Sequence, residues 1–320
     1  MSTDLVMLPP QDDTTRAWAR EVAKAGLRVH IAESRAQALA LLPDATAAFG
    51  TLDTELLAAA PGLRWLQAPM AAPPPGYFFP ELVEHPVQVT NFRGIYNDHV
   101  ATHALALLLA LARGLHRYAR QQPGGQWTRH LADSDVLHLP EATALVVGVG
   151  GIGAEIARMV NAFGTRVLGV DPQRTDTPPG VASMHRPAEL DDLLPSADIV
   201  VLTLPHTPES EGLINAARLA LMPRHSLLVN IGRGPTVALD AVCQALDTGR
   251  LGGVGLDVFE EEPLPPEHPL WQHPRAILTP HVAVVGPYVN ARRLEVFRRN
   301  TEHFTAGEPL INIVDKALWY

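Results

Sequence analysis

The chain has 320 residues, enough for about two domains, and its 47% hydrophobic and 18% charged residues describe a globular chain with ample core. Its 25 Lys and Arg against 34 Asp and Glu leave a net charge of −9, which argues against a basic face for coating nucleic acid but leaves room for a local cationic pocket. One cysteine, Cys243, excludes an intramolecular disulfide and cannot build a zinc site unaided.

The N-terminus, Met1-Ser-Thr-Asp4, lacks the basic and apolar segments of a signal peptide. Residues 5–8 read as a strand, 14–25 as a helix with Trp18 and Val22 one turn apart, and 27–31 as a strand. A helix over 34–42, a strand over 45–49, a helix over 56–60 and a strand over 64–67 continue the alternation. This βα rhythm predicts a parallel sheet with helices on its faces. The proline-rich stretch 70–80 is expected to be a loop. A long helix is expected from Asp98 to about Gln121; its portion 99–111 is apolar nearly all round and should be buried, between domains or subunits. Residues 122–140 look irregular.

From Ala142 a second alternation places strands at 144–147, 166–170, 199–202, 227–230, 253–256 and 276–278. Helices at 152–163, 188–194, 216–221 and 238–248 separate most of them. Six strands in this order are the doubly wound pattern. A final helix spans 290–305, with Leu294, Phe297 and Phe304 apolar. The most apolar runs, 100–112 and 142–154, are too short to cross a bilayer, so the chain reads as a cytoplasmic enzyme with no membrane partner.

The sharpest motif is Gly148-Val149-Gly150-Gly151-Ile152-Gly153, which follows the β-branched strand and opens a helix. In that context Gly148 permits the tight turn, Gly150 lets backbone approach a pyrophosphate, and Gly153 allows close helix–strand packing. The helix N-terminus adds free N–H groups and positive dipole for phosphates. Asp171 ends the next strand 18 residues past Gly153, where an acid binds the ribose hydroxyls of NAD. Arg174, three residues on, keeps NADP open as an alternative.

Three polar turns follow later strands: Asn230-Ile-Gly-Arg233-Gly, Asp257-Val-Phe-Glu-Glu-Glu262-Pro, and Thr279-Pro-His281. In an open parallel sheet ligands bind outside the carboxyl ends of strands, so all three can face one cleft. A guanidinium binds a carboxylate in a fixed planar geometry. A histidine gives and takes the proton that accompanies hydride transfer, and a carboxylate beside a histidine fixes its tautomer. No metal site is expected: His103 and His116 lie on one helix without a third ligand and read as packing or surface residues. Trp127 and Trp271 read as packing residues. Asn91, Arg93 and Tyr96 precede the long helix, either at the substrate or at a hinge.

These stretches, with His268-Pro-Leu-Trp-Gln-His-Pro and Leu278-Thr-Pro-His281, resemble the NAD-dependent D-isomer-specific 2-hydroxyacid dehydrogenases, glyoxylate/hydroxypyruvate reductases among them. The resemblance covers nearly the full chain and is strongest over 91–286. It implies two Rossmann-like, doubly wound parallel-sheet domains, with an NAD-binding domain (99–287) inserted into a flavodoxin-like substrate domain (1–98 and 288–320). It implies hydride transfer between NAD(H) and a small D-2-hydroxy acid/2-oxo acid pair, and a homodimer built on the cofactor domains. Arg233 would bind and polarise the substrate, His281 would be the general acid/base, and Glu262 would pair with it. Asp257 would hold the nicotinamide carboxamide, Leu204, Pro205 and Thr207 would line the cofactor groove, and Ile231 would contact the ring region.

The chain departs from the family at two places. The substrate-carboxylate turn corresponds to 67–76, where Pro69 and the prolines at 73–75 lack N–H donors and Met70, Ala71 and Ala72 remain to donate. The family's Val-Ala-Glu-His reads Val100-Ala-Thr102-His103. Two alternative functions share the fold: a formate dehydrogenase, which places Gln beside its His and so is opposed by Glu262, and a non-enzymatic, NAD-sensing corepressor.

Overall fold

The structure, a computed structural model, describes residues 4–71, 74, 76–129, 132 and 135–317. The chain divides into two compact units, 1–95 with 286–320, and 96–285.

The smaller unit runs β1 (Asp4–Met7), α1 (Asp13–Ala23), β2 (Arg28–Ile31), α2 (Arg35–Leu41), β3 (Ala47–Phe49), α3 (Thr54–Ala58), β4 (Trp65–Gln67), α4 (Pro80–Glu84) and β5 (Gln88–Thr90). All five strands are parallel, in the flavodoxin-like order β2-β1-β3-β4-β5. Every residue of β1, β3 and β4 is buried, as expected of strands covered on both faces. Helix starts are set by side-chain caps: the carboxylates of Asp12 and Asp53 accept from Thr15 N and Leu56 N, removing orphan donors from α1 and α3. The loop expected over 70–80 ends one residue early, because Pro80 opens α4 at the helical position where its missing N–H costs nothing.

The larger unit begins with α5 (Asn97–Ala112) and α6 (Leu115–Ala119). The single helix expected to Gln121 is broken by Gly114, whose φ of 62° is left-handed. There follow β6 (Thr143–Val147), α7 (Gly151–Asn161), β7 (Arg166–Val170), β8 (Ser183–His185), α8 (Leu190–Leu193), β9 (Ile199–Leu202), α9 (Ala216–Leu221), β10 (Ser226–Asn230), α10 (Leu239–Asp247), β11 (Leu251–Leu256) and β12 (Ala276–Leu278). The sheet is parallel and has seven strands, in the order β12-β11-β10-β9-β6-β7-β8; β8 is the strand that the six-strand expectation lacks.

The chain lays β6, β7 and β8 outward and then returns to place β9 on the other side of β6. Their carboxyl ends therefore form a topological switch point, the usual ligand crevice of such sheets. Strand side chains alternate between two cores. Leu145, Val147, Val200, Leu202 and Leu228 pack with Leu219 of α9 and Val242 of α10. Val146, Ile199, Val201 and Val229 pack with Leu107, Leu108 and Leu111 of α5 and with Ile156 of α7. Each of these buried aliphatic side chains contributes about 1.5–3 kcal/mol.

Helix α11 (Val289–Ala306) belongs to the smaller unit. Its Phe297 is fully buried and stacks 5.0 Å from Phe49 and 5.9 Å from Trp65. Trp18 and Phe92 complete that aromatic core. Trp127, expected to pack, is 93% exposed.

Candidate active site

At the end of β6 the chain turns at Gly148, with φ +93°, a conformation that L side chains rarely adopt. A Cβ on Gly153 would lie 2.0 Å from the Gly148 carbonyl oxygen, so the helix can approach the turn only without one. Thr203, just past β9, donates its hydroxyl to Gly148 O, and Leu204 packs beside the same glycine. Gly150 N-caps α7 without a side chain, so the first-turn amides of Gly151, Ile152 and Gly153 have no side-chain cap. Such a bare, positively polarised cradle fits a pyrophosphate.

Asp171, expected from the sequence to bind the ribose, directly follows β7. Its carboxylate already accepts three backbone N–H groups, from Val149 through Oδ2 and from Gln173 and Arg174 through Oδ1, each at 2.9 Å. Arg174 donates to Val149 O at 2.8 Å and pairs with Asp176, while Arg186 donates to Pro172 O at 2.7 Å. Two guanidinium groups thus flank this turn, one of them unremarked in the sequence. On the other side of the loop, Ser210 ties Pro205 and Thr207 together through its hydroxyl, and Ile231 is buried with its N–H on Leu202 O.

Arg233 follows β10. The turn that presents it is folded by Asn230, fully buried, whose Oδ1 accepts from Gly232 N and whose Nδ2 donates to Arg233 O. Gly234 has no space for a side chain: a Cβ there would lie 1.8 Å from the Phe259 backbone. This contact locks the Arg233 turn against the acidic turn after β11. Burial pushes the Arg233 guanidinium below its ordinary pKa, and the negative charge of Glu262 opposes that shift.

Glu262 uses both oxygens: Oε1 accepts from Phe259 N at 3.0 Å and Oε2 is 2.7 Å from His281 Nδ1. With a carboxylate as acceptor, His281 Nδ1 carries the hydrogen, and Nε2 is left for other chemistry. The imidazole is about half exposed. His281 itself has φ 52° and is fixed by its N–H on Asp257 O at 2.8 Å.

Asp257, 1% exposed, holds this turn from below. It accepts from Thr279 Oγ1 at 2.6 Å, Val282 N at 2.9 Å and Ala283 N at 2.9 Å. Because the Thr279 hydroxyl gives its hydrogen to Asp257, it accepts from His103 Nε2 at 2.9 Å. His103 of α5, read from the sequence as a packing or surface residue, therefore braces the strap that carries His281. The signal was its place in Val100-Ala-Thr-His103, which gave no partner 176 residues away.

In the smaller unit, Ala71 O accepts from Asn91 Nδ2 at 2.9 Å and Pro69 O from Arg293 Nη2 at 2.5 Å, while Met70 is 39% exposed. Ala72 lies outside the described residues.

Comparison with known proteins gives the same answer as the geometry. The family profile of the D-isomer specific 2-hydroxyacid dehydrogenase NAD binding domain matches residues 105–283. A glyoxylate reductase of Thermofilum pendens is 33% identical over 83% of this chain and 78% of that protein. A D-isomer specific 2-hydroxyacid dehydrogenase from Xanthobacter autotrophicus Py2, solved with NADPH and MES, superposes with a TM-score of 0.81 at 29% identity over the whole of both chains. The NADPH-dependent glyoxylate/hydroxypyruvate reductase of Sinorhizobium meliloti, solved with NADP and sulfate, gives 0.79 at 26% identity, again over both chains in full. The matched profile and these relatives place the chain in one group of enzymes, to which it belongs: the D-isomer specific 2-hydroxyacid dehydrogenases.

Proposed function

We propose that this dehydrogenase reduces a small 2-oxo acid of the glyoxylate or hydroxypyruvate kind to the D-2-hydroxy acid. The observation that carries the reading is the His281–Glu262 contact of 2.7 Å, a proton-transfer pair at the carboxyl ends of β11 and β12. Bound NADH or NADPH supplies the hydride. Arg233 holds the substrate in a planar fork and stabilises the negative charge that grows on its carbonyl oxygen. His281, protonated, gives the Nε2 proton to that oxygen and is left neutral, while Glu262 keeps Nδ1 protonated throughout. Asp257 orients the His281 turn and is the candidate to hold the nicotinamide carboxamide. Leu204, Pro205, Thr207 and Ile231 line the cofactor groove, and the backbone of Met70 and Ala71 is assigned to the substrate carboxylate. Formate oxidation releases no hydroxyl proton and would have no use for this pair.

Asp171 favours NAD, and the adjoining Arg174 and Arg186 accommodate a 2′-phosphate; the NADPH and NADP bound by the Xanthobacter and Sinorhizobium proteins support a dual preference. Among the described residues no helix is long and apolar enough to cross a membrane, which accords with a cytoplasmic enzyme. The test is oxidation of NADH and NADPH, followed by absorbance, against glyoxylate, hydroxypyruvate, pyruvate, phenylpyruvate and 2-oxoisocaproate. The expected result is turnover with the two smallest acids that His281→Ala lowers by about 10²–10⁴-fold at unchanged NADH affinity. Undiminished turnover in His281→Ala would remove it as the acid.

A further inference from the structure

In the smaller unit the loop after β4 is pinned by its carbonyl oxygens. Pro69 O accepts from Arg293 Nη2 of α11 at 2.5 Å, and Ala71 O accepts from Asn91 Nδ2 at 2.9 Å. Both donors are themselves fixed. The Arg293 guanidinium carbon lies 5.1 Å from the centre of the Trp18 ring and 5.0 Å from that of Phe92. Both rings are buried, and this cation–π arrangement leaves a planar cation few orientations. Arg293 Nη1 reaches Asn290 Oδ1 only at 3.5 Å, and Nε is buried with no partner. Pro69 O is therefore its one close hydrogen-bond acceptor among the described residues. Asn91, 1% exposed, accepts from Arg93 N at 3.0 Å through Oδ1, which assigns Nδ2 as the donor to Ala71.

The N–H groups of the same loop are not engaged. A trans peptide points its N–H opposite to its carbonyl, so drawing Pro69 O toward Arg293 turns the Met70 N–H away from it. Among the described residues neither Met70 N nor Ala71 N donates to a protein acceptor. Donors held in this way meet an anion without first breaking bonds within the protein. Pro69 and the prolines at 73–75 supply no N–H, so recognition by this loop rests on few amides and on how they are aimed.

We propose that Arg293 is a positioning residue for the substrate. By holding Pro69 O it keeps the Met70 and Ala71 N–H groups presented to the substrate carboxylate, and so sets the affinity for 2-oxo acids without touching them. The inference rests on the assignment of that backbone to the carboxylate made above.

The experiment compares the wild type with Arg293→Met, which fills the space between the rings without a donor, and Arg293→Lys, which keeps a cationic donor. It reads KM and kcat for glyoxylate, the NADH Kd, and the Kd of oxamate for NADH-saturated protein by calorimetry. Oxamate carries the carboxylate and carbonyl of glyoxylate but takes no hydride. In Arg293→Met the glyoxylate KM and the oxamate Kd should both rise about tenfold, the loss of one hydrogen bond from a charged donor. The kcat should change by less than about twofold and the NADH Kd should stay the same, while Arg293→Lys recovers most of the loss. An unchanged oxamate Kd in Arg293→Met, an equal loss of NADH affinity, or no recovery in Arg293→Lys overturns the proposal. A wild type that turns over none of the five acids ends the proposed reaction instead. The calorimetry then decides alone: weaker oxamate binding in Arg293→Met upholds the role of Arg293, and unchanged or absent binding overturns it.

Discussion

Arg233 shows how one side chain can be tuned by its turn. Its guanidinium is buried enough to lose hydration; in the proposed role a substrate carboxylate would supply what water no longer does, and the fork geometry would make that gain directional. Arg233→Lys keeps the charge but loses the fork; KM should rise and kcat fall together in steady-state assays, and wild-type kinetics would remove Arg233 from the site. A second residue sets an acid limit. The native state holds His116 below its ordinary pKa of 6.5, mainly by burial, so between the two values the unfolded chain binds more protons. Stability should therefore fall as pH falls below about 6.5 and through the native pKa. Denaturant midpoints at pH 7.5 and 5 should differ less in His116→Gln than in the wild type; an unchanged difference would clear His116 of that role. His85 and His273 are shifted the same way by burial and share the residual slope.

The residues proposed for the chemistry lie on turns after strands, rather than on the strands, and two of these turns are fastened to each other. The Arg233 turn after β10 and the Glu262 turn after β11 meet where Gly234 lies against the Phe259 backbone. Gly234→Ala cannot be absorbed by a rotamer change, because the obstacle is main chain. It should lower stability by about 1–3 kcal/mol and abolish most turnover, read by chemical unfolding and by activity; a stable, active variant would mean that the turns are not coupled. The elements themselves were legible unevenly. Strands β1, β6, β9 and β10 are apolar runs because they are buried on both faces. The two strands absent from the sequence reading, β5 and β8, are three residues long and lie at sheet edges, with β8 only half-buried. An edge strand needs no apolar run, so it leaves no pattern. The helix break at Gly114 was hidden for a related reason: the apolar residues of α5 are followed by helix-compatible Leu115–Ala119, and one left-handed glycine redirects them.

For the assembled molecule, α5 buries Val100, Ala104, Leu107, Leu108 and Leu111 against its own sheet and leaves Leu105 and Leu109 half-buried and Ala106 exposed. Leu115 and Trp127 are 56% and 93% exposed. We propose that the half-buried side of α5, with Leu105 and Leu109, pairs two copies of the chain, as the resemblance implies. The wild type should sediment at twice the chain mass and Leu109→Glu at the chain mass; a monomeric wild type would end the proposal. The alternation of strands and helices, the glycine loop, Asp171 and the Arg233, Glu262 and His281 turns could all be read along the chain. Each depends on contiguous residues: a backbone turn that only glycine tolerates, an apolar run, or an acid or base at a strand end. The order of the sheet could not. It is the return of β9 to the side of β6 that puts Thr203 and Leu204 on the glycine loop. It is the packing of α5 on the sheet that brings His103 to Thr279 and Asp257, completing the brace under His281. Contacts between residues more than a hundred positions apart arise from how whole elements pack, and no local spacing records them.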